Sequence, residues 1–163
     1  MTTKDEFCIG IRQAERAMYS LAFSIVRNEQ DACDVISESI LRAYSRLDTL
    51  KNDHAFRAWI LRIVHNTAIE MIRKKADTVD IDTCTDIADT RKNVDITTKL
   101  TLLDAIEKLQ QPYRTAVILF YYEDLSVAEI ASTTGTSVVA VRQHLSRARK
   151  QLKQLLKKED FFE

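Results

Sequence analysis

The chain has 163 residues, 24 basic and 24 acidic side chains, 45% apolar residues, and only 2 Gly and 1 Pro. So few turn formers exclude barrels, sandwiches and collagen-like or low-complexity chains. No apolar run approaches the roughly 18 residues of a membrane span. The opening MTTKDEFCIGIRQ lacks the basic flank and apolar stretch of a secretory leader, so a cytoplasmic protein is expected. Cys8, Cys33 and Cys84 are scattered, which suits a reducing compartment rather than a disulfide framework. His54, His65 and His144 are equally dispersed, so no metal site is expected.

Three amphipathic helices are predicted in the first part. Phe7, Ile11, Ala14, Met18, Leu21 and Ile25 step by three and four, which marks one helix face. Gly10 is predicted to loosen or break the early part of that helix. After Asn28, the residues Ala32, Val35, Ile36, Ile40, Ala43, Tyr44 and Leu47 share a second face. A third helix is predicted to start near Asn52 or Asp53, either of them a suitable cap. It carries Phe56, Trp59, Ile60, Ile63, Val64, Thr67, Met71 and Ile72 and ends in Arg73, Lys74 and Lys75. One such helix cannot bury its stripe alone, so the three should form a small bundle.

The zero net charge hides a segregation. Residues 76–98 hold 6 Asp and 6 Thr but neither Leu nor an aromatic residue. With no apolar stripe, this reads as a flexible acidic linker, or else as a loop packed on one domain.

Beyond it, Leu102, Leu103, Ile106 and Leu109 give a short helix, and Pro112 suits the first turn of a helix over 112–122. Ser126-Val127-Ala128-Glu129 has capping-box spacing. Gly135 supplies a turn, Ser137 caps a last long helix, and Val141 and Leu145 face inward from it. A tight helix pair of this kind can place its second helix in the major groove of DNA. From Arg142 to Lys158 there are 7 basic residues and no acid, which favours phosphate contact over a merely solvated face. Arg142, Gln143, Ser146 and Arg147 lie clear of the inward residues, where Arg can fork onto guanine and Gln onto adenine.

Two further stretches suit binding. The third helix interleaves Phe56 and Trp59 with Arg57, Arg62, Arg73, Lys74 and Lys75. Aromatics beside cations suit unstacked bases, although helical spacing also suits both rings to core packing. Asn66 falls on the polar side, either simply solvated or reading a base edge. Residues 29–38, EQDACDVISE, carry Glu29, Asp31, Asp34 and Glu38 and no base. This is a solvated acidic face or a protein-docking face, because DNA would be repelled there. No nucleophile, base or metal constellation marks an enzyme.

FRAW-x-x-RI-x-x-N-x-A-x-x-x-x-R, followed at this distance by EIA…G…V-R…L-x-RARK-x-L, resembles the extracytoplasmic-function (ECF) sigma factors of the sigma-70 family. The resemblance implies an all-α chain of two small helical domains. Sigma domain 2 would occupy 1–75, the flexible acidic linker 76–98, and sigma domain 4, with its helix-turn-helix, 99–163. Asp34 and Glu38 match the helix that docks on the clamp helices of the largest polymerase subunit. Trp59, Arg62, Asn66 and Arg73 match the segment that melts and reads the minus-ten strand, with Asn66 beside a flipped base. Arg142, Gln143, Ser146 and Arg147 match the face that reads the minus-thirty-five duplex. The implied partners are core RNA polymerase, including the flap of its second-largest subunit, promoter DNA, and an anti-sigma factor, often membrane-anchored. The implied setting is stress-responsive transcription in the bacterial cytoplasm. No catalytic residue, cofactor or small-molecule substrate is implied, since the polymerase makes the phosphodiester bonds.

The chain departs from the family pattern in places. Ser37 stands where Gln is usual, LQQP replaces LP, and Val139-Ala140 replaces Gly-Thr. Thr134 and Thr136 flank the turn glycine in place of aliphatics, and each hydroxyl would cost about 1–3 kcal/mol if buried unpaired. A stand-alone helix-turn-helix repressor would leave the FRAW helix without a use. A purely protein-binding module would leave the basic helix without one. A 23-residue coil averages about 24–29 Å end to end. Two sites two duplex turns apart lie about 70 Å from each other. The free chain should therefore read promoters poorly until polymerase separates its domains.

Overall fold

The computed structural model describes residues 3–78 and 101–160, with side chains as far as residue 157. Residues 79–98, most of the segment expected to be a flexible linker, lie outside the described residues. Among the described residues every regular element is helical.

Helix α1 spans Lys4–Val26. Thr3 starts it with a capping box: its Oγ1 accepts from the Glu6 amide at 3.2 Å, and the Glu6 carboxylate accepts from the Thr3 amide at 3.3 Å. Phe7, Ala14, Met18, Leu21 and Ile25 are buried, with Ile11 half-buried. Gly10 does not break the helix. It is buried on the packed face, where tertiary contact outweighs its cost of about 1 kcal/mol in propensity. The helix stops at Arg27, left-handed at φ 55°, whose N–H donates to the Phe23 carbonyl at 2.9 Å.

Asn28 opens α2, Glu29–Ser45, by accepting from the Asp31 amide at 3.0 Å. Ala32, Val35 and Ala43 are buried as the period predicts. Tyr44 is not; it is 53% exposed and sets its ring edge-on to Phe7, with centroids 5.4 Å apart. Leu47 lies past the helix end in a single 3-10 turn. Asn52 caps another such turn, and α3, Phe56–Thr78, begins only after it. The helix then runs past Lys75, so the basic triplet decorates its last turns rather than ending it. Both α2 and α3 pack on α1.

In the second unit, α4 is Leu102–Glu107, capped by a Thr101–Asp104 box. Leu102 and Leu103 are exposed, contrary to the expected face, and Ala105, Ile106 and Leu109 carry the burial. The reason is length: a helix of two turns can bury only one narrow stripe. Helix α5, Gln111–Val117, has Pro112 in its first turn. It does not continue as α-helix to residue 122. Ile118–Tyr122 forms a π turn, closed by the Glu123 N–H on the Ile118 carbonyl at 3.2 Å.

Helix α6, Val127–Thr134, carries the predicted capping box, with Ser126 N to Glu129 Oε2 at 2.7 Å and Glu129 N to Ser126 Oγ at 3.1 Å. Gly135 then turns the chain in the left-handed region at φ 69°. Helix α7, Val138–Asp160, starts where Ser137 Oγ accepts from the Ala140 amide at 3.0 Å. Val141, Leu145 and Ala148 are its buried face. The two unusual threonines have partners: Thr134 Oγ1 donates to the Ile130 carbonyl at 2.8 Å and meets Thr136 Oγ1 at 3.0 Å. The orphan is next door, where the Oγ1 of fully buried Thr133 has no partner among the described residues. The two units touch, α1 against α5 and the π turn, and α3 against α6.

Candidate nucleic-acid interface

On α7 the inward residues Val141, Leu145 and Ala148 fix which side faces out. Arg142, Gln143, Ser146 and Arg147 are all exposed and form one contiguous patch on the opposite side. They fall in the second and third turns, near the helix N-terminus, where a recognition helix meets base edges. Lys150, Lys153 and Lys157 extend the positive face. Arg149 does not join it. Its Nε donates to the Tyr121 hydroxyl at 2.7 Å, and its guanidinium lies over the Phe120 and Tyr121 rings, 6.0 and 5.7 Å from their centroids. This side chain clamps α7 onto the π turn. Nothing in the local spacing signalled that, because the two elements are 28 residues apart.

On α3, Arg62, Asn66 and Arg73 are exposed and fall on one side of the helix. Trp59 is half-buried, its ring tilted against Phe56 at 5.7 Å and packed on the core. Both readings of Trp59 thus have a share, one edge in the core and one at the surface. His65, beside Asn66, is half-buried with its Nδ1 unpartnered among the described residues. Burial pulls its pKa below the ordinary imidazole value, and a hydrogen bond with Asn66 opposes this.

The acidic helix proves less acidic than its sequence. Asp34 and Glu38 are exposed on α2. Arg42, however, holds Glu38 through Nε at 2.9 Å, and its two terminal nitrogens fork onto Glu70 of α3 at 2.8 and 3.3 Å. Lys74 adds a contact to Glu70 at 3.1 Å. Hydrogen bonding from Arg42, then from Lys74, holds the Glu70 carboxyl down at about 2 and pushes the Arg42 pKa up. Asp31 is paired with Lys75 of α3. The i,i+4 spacing of Glu38 and Arg42 was readable in the sequence. Glu70 and Lys75 were not, since they arrive from another helix. Asp34 is left as the open acid of this face, with no ion pair among the described residues.

Comparison with known proteins agrees with this layout. Residues 11–78 match the family model for sigma-70 region 2, and residues 99–152 match that for sigma-70 region 4. The chain is 35% identical over 165 residues to RNA polymerase sigma factor SigV of Bacillus subtilis (strain 168), covering 98% of this chain and 96% of that one. It is 28% identical to the ECF RNA polymerase sigma factor SigW of the same organism, covering 86% and 83%. Two solved structures share the fold. The sigma factor RpoE in complex with the anti-sigma factor NepR, from Bartonella quintana, superposes with a TM-score of 0.73 at 23% identity, covering 95% of this chain and 98% of that one. CnrH in complex with the cytosolic domain of CnrY does so with a TM-score of 0.69 at 24% identity, covering 97% and 92%. With regions 2 and 4 in this order, and a relative of this identity along nearly its whole length, the chain belongs to the ECF group of the sigma-70 family of RNA polymerase sigma factors.

Proposed function

We propose that the chain binds core RNA polymerase and directs promoter-specific initiation, with domain 2 over 1–75, a linker over 76–98 and domain 4 over 99–163. The observation that carries this reading is the pair of exposed binding faces on separate helices. One is basic and set on a helix-turn-helix; the other is a mixed Trp-Asn-Arg face beside an acidic helix. Arg142, Gln143, Ser146 and Arg147 read the minus-thirty-five duplex through the major groove. Arg62 and Arg73 hold the minus-ten backbone while Asn66 takes an unstacked base and Trp59 supports it. Asp34, and Glu38 in exchange for Arg42, meet basic residues on the clamp helices of the largest subunit. The apolar groove of Leu102, Ile106, Val117, Tyr121, Leu152 and Leu156 offers a seat for the flap of the second-largest subunit.

The chain brings recognition and the polymerase brings the chemistry, so this is an initiation factor and not an enzyme. Among the described residues no helix is long and apolar enough to cross a membrane. The site of action is the bacterial cytoplasm, where polymerase and promoter are. That both solved relatives are held by another protein supports an anti-sigma factor as a further partner. Reconstitution with core polymerase, followed by run-off transcription on fragments of the parent genome, tests the proposal. A defined transcript dependent on the added chain is the expected result. Core binding without any initiation would overturn it.

A further inference from the structure

The contact between the two domains is built from specific polar groups. We propose that it is an autoinhibitory latch, which when closed holds the two DNA-reading helices too close together to engage one promoter. The proposal rests on the sigma-factor reading and adds its regulation.

Arg114, on α5, is 5% exposed. Its Nε donates to the Ser24 carbonyl at 2.7 Å, and its Nη1 donates to the Leu109 carbonyl at 2.7 Å. Ser24 lies in the last turn of α1, and Leu109 just follows α4. One guanidinium therefore joins a helix C-terminus from each domain, where backbone carbonyls gather partial negative charge. A buried cation is costly without such partners. Beside it, Ser24 Oγ meets Thr115 Oγ1 at 3.0 Å, with both residues 2% exposed. A third link comes from α3, where Arg57 Nη2 donates to the Glu123 carbonyl at 2.7 Å, with the Glu123 carboxylate 3.8 Å away. The seam between them is incompletely filled. A cavity of about 260 Å³ lies there, lined in part by Arg16, Tyr19, Phe23, Ile118 and Tyr122. Polar links that water can replace, around an imperfectly packed seam, describe an interface made to part.

The closed arrangement fixes a distance. Helix α6 packs on α3, and α7 packs on α6. Two interaxial steps of about 8–10 Å put α7 roughly 16–20 Å from α3 where they cross. Two turns of duplex span about 70 Å. The latched chain can therefore offer one reader or the other, and only the opened chain can offer both.

The test places cysteines at Ser24 and Thr115, whose oxygens already sit 3.0 Å apart, in a chain with Cys8, Cys33 and Cys84 replaced by Ser. Oxidised S24C/T115C should lose at least tenfold in run-off transcription with core polymerase, and reductant should restore it. Arg57→Ala, at a half-exposed position, should enlarge the chain in small-angle scattering and raise its core affinity several-fold. Oxidised and reduced forms transcribing equally would overturn the latch and leave the sigma-factor reading intact. So would thiols that react with maleimide but never cross-link. A reduced form that cannot initiate at all would sink the sigma-factor reading first, and the latch with it.

Discussion

Replacing Gly135 with Ala isolates one physical term. The residue sits at φ 69°, ψ 29°, and its N–H donates to the Ala131 carbonyl, which also accepts from the Thr136 amide at 3.0 Å. A Cβ built there meets nothing within 4 Å, so no clash enters. What remains is the cost of left-handed backbone for a residue with a side chain, about 1–2 kcal/mol. For a small domain each kcal/mol lowers Tm by about 4–8 °C. Asn, which tolerates this region, should lose less, and Val, branched at Cβ, should lose more. Urea titration of the three variants gives the ranking directly. Because nothing is displaced, holoenzyme carrying G135A should still protect the minus-thirty-five element below its melting temperature. Ala as stable as Gly, or Ala and Asn both losing more than about 3 kcal/mol, would show that the turn is not held as described.

Four other outcomes are expected. Asn66→Ala should impair promoter opening, scored by permanganate reactivity, while core binding is kept; an unchanged minus-ten preference would remove Asn66 from the readers. Arg147→Ala should cost about 1–3 kcal/mol at one base pair of the minus-thirty-five element if its contact is bidentate, whereas a uniform loss across sequences would mark a phosphate contact. Leu145→Ala, 2% exposed in the α6–α7 seam, should cost about 2–5 kcal/mol and abolish minus-thirty-five protection. Stability should fall with acid in two stages. His65 has a lowered pKa, so the folded state resists its charging, and loss begins as pH drops below the ordinary value of 6.5. The Glu70 carboxylate adds stability that is complete above 4.5 and is lost toward about 2. Arg42→Met should flatten the second stage in urea titrations and leave the first.

The sequence announced the helices through period and caps. Asn28, Ser126, Gly135 and Ser137 each act locally, so their roles could be read within four residues. The inward and outward sides of α7 followed from Val141 and Leu145 alone. The ends of α3 and the shortness of α5 were not legible, because packing decides whether a helix continues. Nor were the long-range polar links. Arg42 with Glu70, Arg149 with Tyr121, and Arg114 with Ser24 join residues 28, 28 and 90 positions apart. An isolated charge in a sequence gives no sign of which distant group it will meet. The same blindness made the acidic helix look wholly open, when Lys75 and Arg42 already occupy two of its carboxylates.

The π turn at Ile118–Tyr122 has a consequence for how this chain tolerates change. A π turn accommodates one more residue than the α-helical turn it replaces. Excising a single residue there would let ordinary helical bonding resume and would swing everything beyond it by roughly 100° about the axis. The Glu123 carbonyl would then point away from Arg57, and the Tyr121 hydroxyl away from Arg149. A one-codon deletion in this stretch should thus leave helix content intact while severing two tethers together, a lesion that circular dichroism would miss and transcription would not.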